Sequence, residues 1–128
     1  MIIKSYEINK KITNVLSTNV YLLYGENGGL KKDLKDFIIK NKVKKNDQVE
    51  NISIYENDLL NNEDNFYNLI YSGSLFSNKK IITINNGTDK ILKHIEDLLD
   101  KNYENTFLII FSDILQKKSK LRNLFEKN

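Results

Sequence analysis

The stretch that decides the fold runs from residue 20 to residue 32 and reads VYLLYGENGGLKK. The short apolar run from Val20 to Tyr24, closed by Gly25, is typical of a strand that is buried on both faces. Helical spacing of apolar residues follows, at Leu30, Leu34, Phe37 and Ile38. A buried strand, a glycine-rich turn and an amphipathic helix in this order predict the start of an α/β domain with a parallel sheet.

The alternation of strand and helix continues to the end of the chain. Four strands are predicted, centred near Leu22, Ile54, Ile82 and Ile109. Helical stripes are predicted before, between and after them, at Ile8–Leu16, Phe66–Ile70, Ile91–Leu99 and from Leu121 onward, with Thr88 as an N-cap. We therefore expect a single α/β domain over residues 1–128, a three-layer parallel sheet with flanking helices and right-handed crossovers.

Composition excludes several classes of protein. The 128 residues include no cysteine, so disulfides and thiolate metal sites are ruled out. No secretory signal and no apolar run of about 20 residues is present, so we expect a cytoplasmic protein without a membrane partner. The net charge of +3 is slight, and the lysine clusters at 40–45 and 117–120 are interpreted as solvated surface. His94 is expected on the exposed side of its helix, with no Cys or second His nearby, so no metal site is predicted.

The turn after the first strand occupies the natural phosphate site of an α/β fold. Against the pattern G-x-x-x-x-G-K-[ST], Gly25 and Lys31 fall in register. However, Leu30 replaces the second glycine, Lys32 replaces the magnesium-binding hydroxyl, and Glu26 adds a negative charge. We predict a degenerate P-loop made of Gly25, Glu26, Asn27, Gly28, Gly29, Leu30, Lys31 and Lys32.

The strand at residues 81–86 has the outline of a Walker B segment. Its two carboxylates are replaced by the amides of Asn85 and Asn86, which cannot act as bases and are poor magnesium ligands. Asp113 follows the last strand but, with neither Walker element intact, is not assigned a catalytic role. The sequence predicts a nucleoside-triphosphatase scaffold that has lost hydrolysis, and no cofactor is expected.

Three segments carry a resemblance to a known family. They are residues 71–84, YSGSLFSNKKIITI; the opening strand and turn, residues 20–26; and residues 106–113 with the helix start Lys118-Ser119-Lys120-Leu121. In order and spacing they resemble the delta subunits of bacterial DNA polymerase III, which belong to the clamp loader. The resemblance implies an N-terminal AAA+-like domain without ATPase activity. It also implies further C-terminal domains that this chain lacks, in keeping with its end inside an apparent helix after Phe125.

The resemblance also implies partners and a binding site. Leu75 and Phe76, preceded by Ser74, would insert into a hydrophobic pocket of the beta sliding clamp and help to open it during DNA replication. The other clamp-loader subunits, delta prime and gamma/tau, would be bound through the C-terminal domains, and DNA would be contacted only indirectly.

The residues themselves leave alternatives open. Leu75 and Phe76 lie between a helix and a strand among small and polar residues, which suits an exposed anchor pair, but both could instead cap the local core. A small nucleotide-binding protein, in which Lys31 still holds a phosphate, is a second possibility. A response-regulator-like or other flavodoxin-like domain is a third, although this chain offers only Glu26 and Asp113 as isolated acidic residues.

Overall fold

A computed structural model describes residues 19–25, 28–71, 79–99, 106–113 and 115–127. The elements alternate along the chain as the sequence predicts. In order they are β1 (Val20–Tyr24), α1 (Gly28–Lys42), β2 (Val49–Tyr55), α2 (Glu56–Asn61), α3 (Glu63–Tyr71), β3 (Lys79–Asn85), a 3₁₀ turn (Asp89–Ile91), α4 (Leu92–Leu99), β4 (Thr106–Ser112) and α5 (Lys120–Lys127). The helix predicted near Ile8 falls outside the described residues.

The four described strands form one sheet in the order β1-β4-β3-β2. All three pairings are parallel: Leu22 lies opposite Ile110, Ile82 opposite Leu108, and Ile52 opposite Ile82. The predicted parallel sheet is therefore confirmed. Because the strands run the same way, their carboxyl ends meet at a single edge, where the turns into the following helices also lie.

Helices cover both faces of the sheet and produce two cores. Successive residues of a strand point to opposite faces. Thus Tyr21 and Leu23 pack with Leu34 and Ile38 of α1. On the other face, strand residues such as Leu22 pack against α2 to α5. The other buried residues of this second core are Leu59, Phe66, Ile70, Ile82, Ile84, Ile91, Ile95, Leu98, Leu108, Ile110, Leu121 and Phe125. This arrangement confirms the three-layer prediction.

One helix was not predicted from the sequence. The connection between β2 and β3 contains α2 as well as α3, and Asn62 separates them. Asn62 has a non-helical backbone, with φ −146° and ψ 73°, and its side-chain oxygen accepts a hydrogen bond from the backbone N–H of Asn65 at 3.2 Å. The asparagine therefore ends one helix and caps the next.

The prediction for His94 is wrong. The residue is only 6% exposed, and its Nε2 lies 3.3 Å from the Glu63 carboxylate. Its ring stacks on Tyr67 at a centroid distance of 5.9 Å and meets Phe66 edge-on at 6.4 Å. His94 follows Ile91 by three residues, so it lies on the buried stripe of its helix and packs α4 against α3.

None of the described helices is both long enough and apolar enough to cross a membrane.

Candidate functional site at the carboxyl edge of the sheet

The turn from β1 into α1 is held against the end of β4. Gly25 has φ +127°, a backbone conformation that favours glycine, and its N–H donates to the Asp113 carbonyl at 3.2 Å. Helix α1 begins at Gly28. Of the predicted degenerate P-loop, Glu26 and Asn27 lie outside the described residues, and the other six are described.

Lys31, which aligns with the phosphate-binding lysine of the P-loop pattern, is directed toward β4. Its ammonium donates to the Ser112 carbonyl at 3.0 Å and lies 4.0 Å from the exposed Asp113 carboxylate. Leu30 and Lys32 are both exposed. The lysine that would meet a phosphate in a P-loop enzyme thus joins α1 to the end of β4.

A cavity of about 420 Å³ lies beside the first turns of α1. It is lined by Gly28, Lys31, Lys32, Lys35, Asp36 and Phe111. The Lys35 ammonium lies 5.6 Å from the centre of the Phe111 ring, a cation–π distance. The cavity has a basic lining, and its described lining residues come from α1 and from Phe111 of β4.

The end of β3 carries the predicted degenerate Walker B amides. The Asn85 amide donates to Ser53 Oγ at 2.8 Å and to the Ile54 carbonyl at 3.3 Å, both on β2. Asn86 adopts a left-handed backbone with φ 60°, which asparagine tolerates better than most residues. Gly87 is buried, and its N–H donates to the Phe111 carbonyl at 2.9 Å. Asn85 therefore links β3 to β2, and the backbone of Asn86 forms the turn after β3.

A buried carboxylate that the sequence reasoning missed lies next to this turn. Glu56 is 5% exposed, and it accepts hydrogen bonds from the backbone N–H and the hydroxyl of Thr88, each at 2.8 Å. Glu56 follows directly after β2, so it had to lie at the carboxyl edge of the sheet. This position was the signal in the sequence that could have identified it. The interaction ties the end of β2 to the turn that follows β3.

Asp89 fastens the same turn to α5. Its carboxylate accepts hydrogen bonds from Ser119 Oγ at 2.7 Å and from the Leu121 N–H at 2.9 Å. Partial burial alone would raise the pKa of Asp89, but these hydrogen bonds and the nearby charge of Lys120 outweigh it and lower the pKa below its ordinary value. Thr88 caps the 3₁₀ turn that precedes α4, as predicted, by accepting from the Lys90 N–H at 3.2 Å.

Three charged groups at this edge form hydrogen bonds within the protein. Lys31, Glu56 and Asp89 each contact a different element, and each contact joins parts of the chain that are distant in sequence. Across the described ranges, no three His, Asp or Glu side chains come together as a metal site would require. The arrangement provides structural cross-links between loops.

The predicted clamp-binding residues, Ser74, Leu75 and Phe76, lie outside the described residues. The structure describes the elements on either side of them: α3 ends at Tyr71 and β3 begins at Lys79.

Two of the three comparisons with known proteins found a match. Residues 21–128 match the family model described as DNA polymerase III, delta subunit. None of the curated proteins matches the chain. Among solved structures, the fold is similar to that of the Bacillus subtilis DNA clamp loader delta protein, with a TM-score of 0.64 and 16% sequence identity over 97% of this chain. The chain spans 40% of the length of that protein. Since the family model covers nearly the whole chain, the protein belongs to the DNA polymerase III delta subunit family.

Proposed function

We propose that this chain is the clamp-binding domain of a clamp-loader delta subunit, which binds the beta sliding clamp and helps to open it without hydrolysing ATP. The observation that carries the proposal is the family match over residues 21–128. The similarity of fold to a DNA clamp loader delta protein supports it.

The contacts at the carboxyl edge support the absence of hydrolysis. A P-loop enzyme needs its lysine free for the phosphates and a carboxylate for magnesium. Here Lys31 donates to the Ser112 carbonyl, and Asn85 donates to β2. We therefore propose that residues 25–32 and the pair Asn85-Asn86 are a degenerate P-loop and a degenerate Walker B segment that serve the stability of the domain.

We propose that Leu75 and Phe76, with Ser74 before them, form the clamp-binding site. The segment connects α3, whose Phe66 and Ile70 are buried in the core, to the central strand β3. Both flanking elements are therefore firmly packed. Each apolar anchor buried in a pocket of the clamp would contribute about 1.5–3 kcal/mol.

The remaining partners follow from the same proposal. Residues 1–128 would form the N-terminal domain, and the delta prime and gamma/tau subunits would be bound through C-terminal domains of the full-length subunit. DNA would be reached indirectly, through the loaded clamp.

The test is binding of the purified chain to its cognate sliding clamp, measured by surface plasmon resonance. The double substitution Leu75→Ala/Phe76→Ala should weaken binding by about 3–6 kcal/mol, which is more than about a hundredfold in Kd. The thermal unfolding midpoint of the free chain should stay nearly unchanged.

A matched control is available on another part of the surface. Leu30 and Tyr55 are the exposed large apolar residues of the described chain, at 36% and 57% exposure. The double substitution Leu30→Ala/Tyr55→Ala removes a comparable apolar pair and should leave clamp binding intact. Failure of the wild-type chain to bind, or an equal loss of affinity in both double variants, would contradict the assignment.

A further inference from the structure

The end of α1 and the start of β3 bring two lysine side chains to one aromatic ring. The ammonium groups of Lys42 and Lys79 lie 5.6 Å and 5.9 Å from the centre of the Phe107 ring, both within cation–π distance. Phe107 belongs to β4 and is only 5% exposed, on the face of the sheet that α1 covers. Two like charges are therefore placed beside a single buried ring.

Lys79 is held in its position by two acceptors. Its ammonium donates to the carbonyl of Lys42, the last residue of α1, at 2.7 Å and lies 2.9 Å from the Asp47 carboxylate. The last carbonyls of a helix have no partner within the helix, and the helix dipole makes that end negative, so an ammonium is stabilised there. A fixed positive charge thus lies at the end of the helix from which the Lys42 side chain extends.

The environment of Lys42 favours the neutral form of its amine. The residue is partly buried, and this burial, together with the positive charge of Lys79, lowers the pKa of Lys42 below its ordinary value. A lysine becomes a nucleophile when it is desolvated or lies beside another cation, since only the neutral amine carries a free electron pair. Such a lysine reacts with electrophilic carbonyl groups at pH values at which ordinary lysines are almost fully protonated.

The surroundings of Lys42 indicate which kind of electrophile would be attracted. Between residues 40 and 49 the chain carries four lysines and a single acidic residue, Asp47, whose carboxylate lies beside Lys79. Lys40, Lys44 and Lys45 are exposed. A local excess of positive charge raises the concentration of anions near the surface. An acyl phosphate combines an electrophilic carbonyl carbon with an anionic leaving group, so it suits both the amine and the charge around it.

We propose that Lys42 is a modification site, at which the side-chain amine is acylated by an acyl phosphate. The neutral nitrogen attacks the carbonyl carbon and forms a new N–C bond. The bond between this carbon and the phosphate oxygen breaks, phosphate leaves with the electron pair, and the nitrogen loses one proton to water. The product is an uncharged amide, and Lys79 remains as the charged member of the pair. This inference does not depend on binding to the clamp.

The test is acetylation of the purified chain by acetyl phosphate, followed at each lysine by mass spectrometry. Lys40 is the matched control, because it lies two residues earlier in the same helix and is exposed. At pH 7.5 we expect Lys42 to be acetylated at least about threefold faster than Lys40, although its side chain is less accessible. The rate at Lys42 should also reach its plateau at a lower pH than the rate at Lys40.

Substitutions of Lys79 test the electrostatic cause separately. Lys79→Met removes the neighbouring charge, whereas Lys79→Arg keeps it. Acetylation of Lys42 should therefore be at least about twofold slower in Lys79→Met than in Lys79→Arg. Urea denaturation gives the folded fraction of each variant, and rates are compared only where folding is complete. If Lys79→Met does not fold, the pH dependence of the two wild-type rates decides.

Two results would contradict the proposal. Acetylation of Lys42 at the rate of Lys40, or more slowly, would show that Lys42 is not a preferred site. A plateau at the same pH for both lysines would show that the environment of Lys42 does not activate its amine. Equal rates at Lys42 in Lys79→Met and Lys79→Arg would overturn the part assigned to the charge of Lys79.

Discussion

Replacing Gly87 by alanine tests the packing of the turn that follows β3. A Cβ atom at this position would lie 2.6 Å from Ile110 Cγ2, 3.2 Å from Ser112 Oγ and 3.5 Å from Ile91 Cδ1. All three neighbours are buried. The closest contact is about 1 Å shorter than the separation that two carbon atoms prefer.

The free-energy cost of Gly87→Ala depends on whether the neighbouring residues can move to accept the new methyl group. Ile110 is 0% exposed and sits in β4, where it lies opposite Leu22 on one side and Ile84 on the other. Because neighbours on both strands confine it, the strain has to be taken up by the turn or by an unfavourable rotamer. Insertion of a methyl group into such a packed position costs about 1–3 kcal/mol, which corresponds to a lowering of Tm by roughly 4–12 °C for a domain of this size.

Urea denaturation followed by circular dichroism measures this change, and Gly28→Ala is the matched control. Apart from the chain neighbours and the backbone of the helix itself, no atom of the described residues lies within 4 Å of a Cβ built on Gly28, the first residue of α1. Alanine is also the better helix former. Gly28→Ala should therefore leave the free energy of unfolding unchanged or slightly raised. If Gly87→Ala proved as stable as Gly28→Ala, with an equal dependence on urea, Gly87 would not be packed against β4.

Two further predictions concern the charged groups of the same edge. The wild-type chain and the variant Leu30→Gly/Lys32→Thr should both release no phosphate from ATP with magnesium, because Asn85 and Asn86 supply no carboxylate; magnesium-dependent release above background would refute the assignment of a degenerate site. Asp89→Asn should lower the free energy of unfolding at pH 7 by about 0.5–1 kcal/mol, the value of a solvent-exposed helix cap. Because folding lowers the pKa of Asp89, the carboxylate stabilises the folded state fully above about pH 4, and this stabilisation is lost as the pH falls through the lower pKa of the folded state. The variant and the wild type should therefore converge in stability near pH 2. An equal difference in the free energy of unfolding at pH 7 and pH 2 would show that the charge of Asp89 is not the cause.

The sequence was sufficient to predict the strands, but not their full arrangement. Short runs of β-branched and apolar residues closed by glycine or asparagine are strong strand signals, and all four strands lie where they were expected. The order β1-β4-β3-β2 depends on packing between distant segments, which no local pattern encodes. Helix α2 was missed because six residues are too few to show a helical period. His94 was misplaced because a polar residue on a buried stripe was assumed to face solvent.

The candidate site, like the fold, could be predicted from the sequence only in part. Departures from the P-loop and Walker B patterns can be seen directly in Leu30, Lys32 and the pair Asn85-Asn86. The contacts that a side chain makes in the folded protein cannot be inferred from the sequence in the same way. The contact of Lys31 with Ser112 spans 81 residues, and that of Glu56 with Thr88 spans 32 residues. Such partners are set by the tertiary fold, and both contacts involve residues whose types fit many other roles.

Strand β3 connects the proposed degenerate site to the proposed clamp-binding segment. It lies inside the sheet, between β2 and β4, and Asn85 at its carboxyl end is bonded to β2. At its amino end, Lys79 and Lys80 contact the ends of α1 and α3. The two ends are separated by about 20 Å of extended chain and are held by different side chains. The amino end of β3 is therefore held by contacts to both helical layers that do not involve the opposite edge. If residues 74–76 bind the clamp as we propose, this binding would depend on the end of β3 that lies away from the proposed degenerate P-loop.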